Sequence, residues 1–216
     1  MDFNHITADP INNYAELYTT PEQEVLASLN RETHAGVRGA QMLSGHLQGM
    51  LLQVISQMIR PKLILELGTY TGYSAICLAK GLAPEGILHT IDIDDSLQEM
   101  RDRYWTEAGL KHCIQQHTGP ADQVIDHING TFDLVFIDAD KKNYERYFDL
   151  VIDRMVSGGI ILADNVLFHS EVIRPPEQQS NNARAMHAFN RKIAADNRVE
   201  QVILPVRDGI ALIRKL

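Results

Sequence analysis

Cysteine is scarce in this sequence: Cys77 and Cys113 are far apart, and neither belongs to a CxxC pair or a disulfide-like ladder. Long apolar runs are missing too, and none approaches the roughly 18 residues that a membrane span needs. The start, MDFNHITADP, has no basic segment ahead of an apolar core, so no secretory signal is expected and the cytoplasm is the expected location. Basic residues are in deficit. Twenty Lys and Arg against 28 Asp and Glu leave a net charge of −8, which opposes broad binding to phosphate backbones. Arg31, Arg38, Arg174, Arg184 and Arg191 lie outside the central strands and could still form a local basic patch. The nine histidines show no ligand spacing, and there is no internal repeat, low-complexity tract or long linker.

What is present is an ordinary globular composition, 44% hydrophobic and 22% charged, over 216 residues. That length suits one domain, residues 1–216, with a helical extension over 1–60 and an α/β core over 61–216. Leu47, Leu51, Val54, Ile55 and Met58 recur at helical spacing, and Pro21 with Glu22 suits a helix start. From Pro61 short apolar runs alternate with amphipathic segments. LILEL (63–67), ILHTID (87–92), HCIQQHT (112–118), DLVFID and GIILAD read as strands. Helices are expected over 74–80, 96–108 and 121–127, from the fourth strand to about Met155, and through Asn190. The tail gives two further strands joined by a turn at Asp208–Gly209. Such alternation predicts βαβ units in a mainly parallel sheet finished by an antiparallel pair.

In open α/β sheets ligands bind beyond the carboxyl ends of the strands. Charged residues sit at those ends here: Glu66, Asp92, Asp138 and Asp164–Asn165. The turn ELGTYTGYS (66–74) has Gly68 and Gly72 at G-x-x-x-G spacing, and Tyr70 and Tyr73 fall where a dinucleotide fingerprint needs glycine. A pyrophosphate is therefore disfavoured, and a smaller adenosine ligand has room. Asp92 can accept hydrogen bonds from both ribose hydroxyls; its bland alternative is an acid at a helix start.

ELGTYTGYS, the acid of TIDID, GPA (119–121), DADKKNY, ADN and LPVRDG stand in the order and spacing of a known group. From about Met42 onward the chain resembles the metal-dependent class I S-adenosylmethionine O-methyltransferases of the caffeoyl-CoA and catechol type. The resemblance implies a Rossmann-like α/β fold with a seven-stranded, mainly parallel sheet, helices on both faces and a homodimer. It implies that Met42 and Ser44 border the methionine part of S-adenosylmethionine. Glu66, Gly68, Thr69 and Ser74 surround its amino-acid moiety, Asp92 holds the ribose, and Ala121 with Asp122 flanks the adenine. Asp140 and Tyr147 make further cofactor contacts. Asp138, Asp164 and Asn165 match the metal ligands.

Two carboxylates and an amide carbonyl form an all-oxygen set suited to Mg²⁺, Mn²⁺ or Ca²⁺. Singly, Asp138 reads equally as a helix cap and Asp164–Asn165 as an Asx turn. Lys141 is the candidate base, its ammonium lowered by a nearby cation and by desolvation; its alternative is a lysine paired with Asp138 or Asp140. The expected acceptor is a small aromatic with adjacent hydroxyls. Hydroxylated uridine in transfer RNA is the second expectation, and a cofactor-binding module without catalysis the third. Phe168, His169 and Arg207 depart from the plant-like pattern in the region that resembles the acceptor pocket.

Overall fold

The structure, a computed structural model, describes residues 9–216. The opening MDFNHITA, on which the expectation about a secretory signal rests, lies outside the described residues. Helices α1 (Asp9–Leu17), α2 (Glu24–Gly36) and α3 (Gly45–Ile59) precede a seven-stranded mixed sheet. Among the described residues no helix is long and apolar enough to cross a membrane.

The chain forms two compact units, one of them Tyr14–Asn129. Here β1 (Leu63–Leu67), β2 (Ile87–Asp92) and β3 (Ile114–Thr118) run parallel in the order β3-β2-β1. Helix α4 (Tyr73–Ala79) follows β1, α5 (Gln98–Glu107) follows β2, and α6 (Ala121–Val124) follows β3. Ile64, Leu65 and Leu67 are wholly buried, as parallel strands covered on both faces require. Helix α3 packs closely on α4 because Gly49 has no side chain: a Cβ there would lie 2.6 Å from the Tyr73 ring. Two boundaries differ from expectation for local reasons. Asp94 Oδ1 accepts from Ser96 N at 2.8 Å, and this Asx turn delays α5 to Gln98. Lys111–Cys113 forms a 3₁₀ turn, so β3 begins at Ile114.

The other unit holds Gly130–Leu216 together with the described residues up to Asn13. β4 (Phe132–Ile137) pairs parallel with β5 (Met155–Asp164), and β7 (Ile210–Lys215) pairs antiparallel with both β5 and β6 (Val199–Leu204). α7 (Tyr144–Ile152) ends three residues before the expected limit, because Met155 already pairs with Phe132 in the sheet. α8 (Asn181–Ala195) runs past Asn190: Ile193, four residues after Phe189, extends its buried face. Ser180 caps it, its side chain accepting from Ala183 N at 3.2 Å.

Candidate functional site

In the first unit the carboxyl ends of β1 and β2 lie side by side, with Leu67 opposite Ile91. Glu66 is wholly buried, and its Oε2 accepts from the Thr90 hydroxyl at 2.6 Å. Thr90 has one proton and gives it to Glu66, so it accepts in turn from the Thr69 hydroxyl, also at 2.6 Å. A short chain thus links Glu66 to the glycine-rich turn. Asp92 is bound to the same turn: its Oδ2 accepts from the backbone N–H of Thr69 at 3.0 Å and of Tyr70 at 2.8 Å. Its Oδ1 accepts from Asp94 N at 3.0 Å.

The turn itself is strained and locked. Tyr70 has φ +48, a left-handed conformation that costs a side-chain-bearing residue energy. Gly72 has φ +83, and a Cβ at this position would meet the Trp105 ring at 2.6 Å. The same indole nitrogen, Trp105 Nε1, donates to the Gly72 carbonyl at 3.2 Å.

The remaining residues expected around the cofactor fall as follows. Gly68 opens the turn, its N–H donating to Ile91 O at 2.9 Å, and Ser74 is buried in the first turn of α4. Gly119 N donates to Asp92 O at 2.8 Å, which anchors the Gly119–Ala121 turn beside Asp92. Ser44 is buried and Met42 exposed in the segment after α2, and Tyr70 OH donates to Arg38 O at 3.2 Å to tie that segment to the turn. Glu66, Thr69 and Asp92 are therefore joined by hydrogen bonds, directly or through Thr90.

In the second unit Ile137 stands opposite Ala163, so Asp138 and Asp164 leave adjacent parallel strands at the same end. The Lys141 ammonium donates to Asp138 Oδ1 at 3.0 Å and to the Tyr144 hydroxyl at 2.7 Å. Tyr144 is wholly buried, with its oxygen 3.1 Å from the Ile137 carbonyl and 3.0 Å from that of Asp164. Burial pushes its phenol above the usual range, so it remains a donor. Desolvation works to lower Lys141, but the Tyr144 oxygen and the Asp138 and Asp164 carboxylates outweigh it and hold the ammonium above its ordinary value. The lowering expected for this lysine thus needs charge that the chain alone does not supply.

Asp164 Oδ1 accepts from Asn165 N at 2.8 Å, and Asn165 has φ +60, which turns its amide away from the strand course. Asp140 accepts from the Tyr147 hydroxyl and, through Oδ2, from Asn143 Nδ2 at 2.6 Å. Among the described residues no three His, Cys, Asp or Glu side chains gather as a metal-holding group. The oxygen set at these strand ends consists of two carboxylates and the Asn165 amide.

The segment after Asn165 carries unusual strain: Phe168, His169 and Ser170 have φ +40, +53 and +60. It is laced to the turn before β7. Asp208 Oδ1 accepts from His169 N at 2.5 Å, and Leu167 N donates to Asp208 O at 3.0 Å. Burial raises the Asp208 carboxyl, partly offset by His169, Lys141 and Arg207.

Three participants escaped the sequence reading. Thr90 is a polar residue in an apolar strand, and Tyr144 lies one helical turn after Lys141. Arg101 shares the buried face of α5 with Met100, Tyr104 and Trp105, a place where a charged residue needs an explanation.

Known proteins resemble this chain in sequence and in fold. The family described as O-methyltransferase matches residues 15–216. "Probable caffeoyl-CoA O-methyltransferase 1" of Dictyostelium discoideum is 31% identical over 211 residues, covering 95% of this chain and 92% of that protein. Caffeoyl-CoA O-methyltransferase of Petroselinum crispum is 36% identical over 180 residues, covering 78% and 75%. The SAH-bound methyltransferase PaMTH1 of Podospora anserina superposes with a TM-score of 0.89 at 27% identity, covering 100% of this chain and 98% of that one. The O-methyltransferase of Bacillus cereus in complex with SAH gives 0.84 at 27% identity, covering 96% and 97%.

Proposed function

The chain belongs to the O-methyltransferase family, as an S-adenosylmethionine-dependent enzyme of the caffeoyl-CoA type, and from that premise we propose a metal-dependent methylation of a catechol-type hydroxyl. The observation that carries the metal proposal is the Lys141 ammonium, bonded to the Asp138 carboxylate at 3.0 Å and attracted by the charge of Asp164 at the neighbouring strand end. A part-buried ammonium in the field of two carboxylates marks a place that favours positive charge. The donors are oxygens only, so the residues fit a hard divalent ion, with Asp138, Asp164 and Asn165 as its protein ligands. When bound, such an ion stabilises a phenolate at neutral pH, where a free phenol is protonated.

The chain's own residues then have distinct tasks. Asp92 accepts from the ribose hydroxyls through the lone pairs that its backbone donors leave open. Glu66, fixed by Thr90, and Thr69 orient the amino-acid end, with Gly68, Ser74, Met42 and Ser44 around it. Ala121 borders the adenine, and Asp140 with Tyr147 completes the cofactor's contacts. Lys141 receives the acceptor's proton at Nζ once its own has been released to solvent, and Tyr144 holds that nitrogen in place. Orientation supplies much of the acceleration, because the sulfonium is already activated.

The acceptor proposed is a small aromatic with two adjacent hydroxyls, with or without a coenzyme A tail. Hydroxylated transfer RNA gains no support from three of the five arginines: Arg31 is paired with Glu24, Arg174 with Glu171, and Arg184 with Asn181. Exposed Ile11, Tyr14 and Leu17 on α1 support the proposal of a homodimer. The functional test is release of S-adenosylhomocysteine with caffeate, caffeoyl-CoA and catechol, beside their monohydroxy counterparts. Turnover confined to the adjacent diols is expected; equal turnover of the monohydroxy compounds would contradict a chelated acceptor.

A further inference from the structure

Arg101 is wholly buried on α5, and its ion pair with Asp92 is longer than a direct hydrogen bond. Its Nε donates to the Tyr70 carbonyl at 2.6 Å and its Nη2 to the Asp94 carbonyl at 3.0 Å. The same Nη2 lies 3.6 Å from Asp92 Oδ2. Nη1 is buried and finds no hydrogen-bond partner among the described residues.

Burying a guanidinium with one nitrogen unsatisfied is costly, and an apolar side chain of similar volume would serve stability better. The pattern of contacts is instructive instead. Tyr70 belongs to the glycine-rich turn and donates to Asp92 Oδ2; Asp94 follows β2 and donates to Asp92 Oδ1. One planar fork therefore grips the backbone on both sides of the Asp92 carboxylate. It also satisfies the carbonyl of Tyr70, whose φ of +48 would otherwise relax.

We infer that Arg101 is a positioning residue that fixes the plane of the Asp92 carboxylate, and that this fixed plane sets the enzyme's selectivity for a ribose bearing both hydroxyls. The inference rests on the proposed contact between Asp92 and the ribose. A carboxylate reads two adjacent hydroxyls well only when its oxygens are held in one orientation, since each hydrogen bond depends steeply on angle. A rotating carboxylate would still attract hydroxyls, but it would no longer penalise the loss of one of them. Lysine in this place would keep the charge and lose the fork.

The test compares binding of S-adenosylhomocysteine with binding of its 2′-deoxy and 3′-deoxy counterparts by calorimetry. Wild type, Arg101→Lys and Arg101→Met are each measured, with thermal unfolding as a check on folding. Hydrogen bonds to a charged acceptor are worth enough that wild type should bind each deoxy compound about tenfold or more weakly. In both variants that ratio should fall to about twofold, while affinity for S-adenosylhomocysteine itself drops about tenfold. A merely structural role would weaken all three ligands in parallel and keep the ratio, which would overturn the inference. A wild-type ratio near one is a different failure: it would remove the ribose contact of Asp92, and the role of Arg101 with it. Arg101→Lys keeps a cation in the buried site, so the ratio can be read even where Arg101→Met does not fold.

Discussion

Lys141 Nζ donates to Asp138 Oδ1 at 3.0 Å, across only three residues of chain. This pair closes the end of β4 and, with Tyr144 and Asp164, keeps the lysine charged. The carboxylate that is proposed to ligate a divalent cation also accepts from an ammonium, so the two positive charges would compete for it.

Replacement of a carboxylate should separate chemistry from cofactor binding. In Asp138→Ala and Asp164→Ala, turnover should fall about a hundredfold or more, the loss expected when several kcal/mol of transition-state stabilisation goes. Affinity for S-adenosylhomocysteine should stay within about threefold, because the residues linked to Asp92 lie on other strands. Calorimetry and steady-state kinetics on the same preparations check both halves of the statement.

Tyr144→Phe removes the oxygen that faces Lys141 Nζ and the carbonyls of Ile137 and Asp164. The expected cost in stability is about 1–2 kcal/mol, since buried acceptors and a buried donor each lose a partner. With Nζ no longer held, kcat should fall more than KM for the acceptor rises. Denaturant unfolding and kinetics would show it, and an unchanged kcat would remove Tyr144 from the account of Lys141.

Gly72→Ala tests the locked turn. The added Cβ would lie 2.6 Å from Trp105 Nε1 at φ +83, so both sterics and backbone conformation oppose it. We expect a loss of about 1–3 kcal/mol in stability. Weaker cofactor binding should accompany it, because Thr69 and Tyr70 share the turn.

A pH effect on stability arises away from the site. His89 Nδ1 lies 2.8 Å from His117 Nε2, and burial, followed by the charge of His117, pushes His89 down to about 4. An unfolded histidine titrates near 6.5, so between about 6.5 and 4 the unfolded chain binds the extra proton. The contribution is fully present above pH 6.5 and is lost as pH falls through that window. Wild type should therefore lose more stability than His89→Gln between pH 7 and pH 5, as denaturant midpoints would record.

Much of this arrangement was legible in the sequence because it is local. Alternating apolar runs and amphipathic segments gave the strands, and acids placed just after apolar runs marked the strand ends. Boundaries drifted where neighbours decide: Met155 belongs to β5 through its pairing with Phe132, although helical periodicity carries on to that point. Arg101 was not legible, since its partners Tyr70 and Asp92 come together with it only once α5 packs beside the turn. The charge state of Lys141 was hidden for a related reason. Its sequence neighbours Asp138 and Tyr144 were visible, but the weight of the Asp164 carboxylate depends on the pairing of β4 with β5.

The measurement that tests the central claim most directly is single-turnover methyl transfer to a catechol after exhaustive chelation, followed by titration with Mg²⁺. Wild type should be silent with EDTA and regain transfer as Mg²⁺ is added, while Asp138→Ala stays silent at every concentration. Transfer by wild type at an undiminished rate in EDTA would contradict the proposed role of Asp138, Asp164 and Asn165.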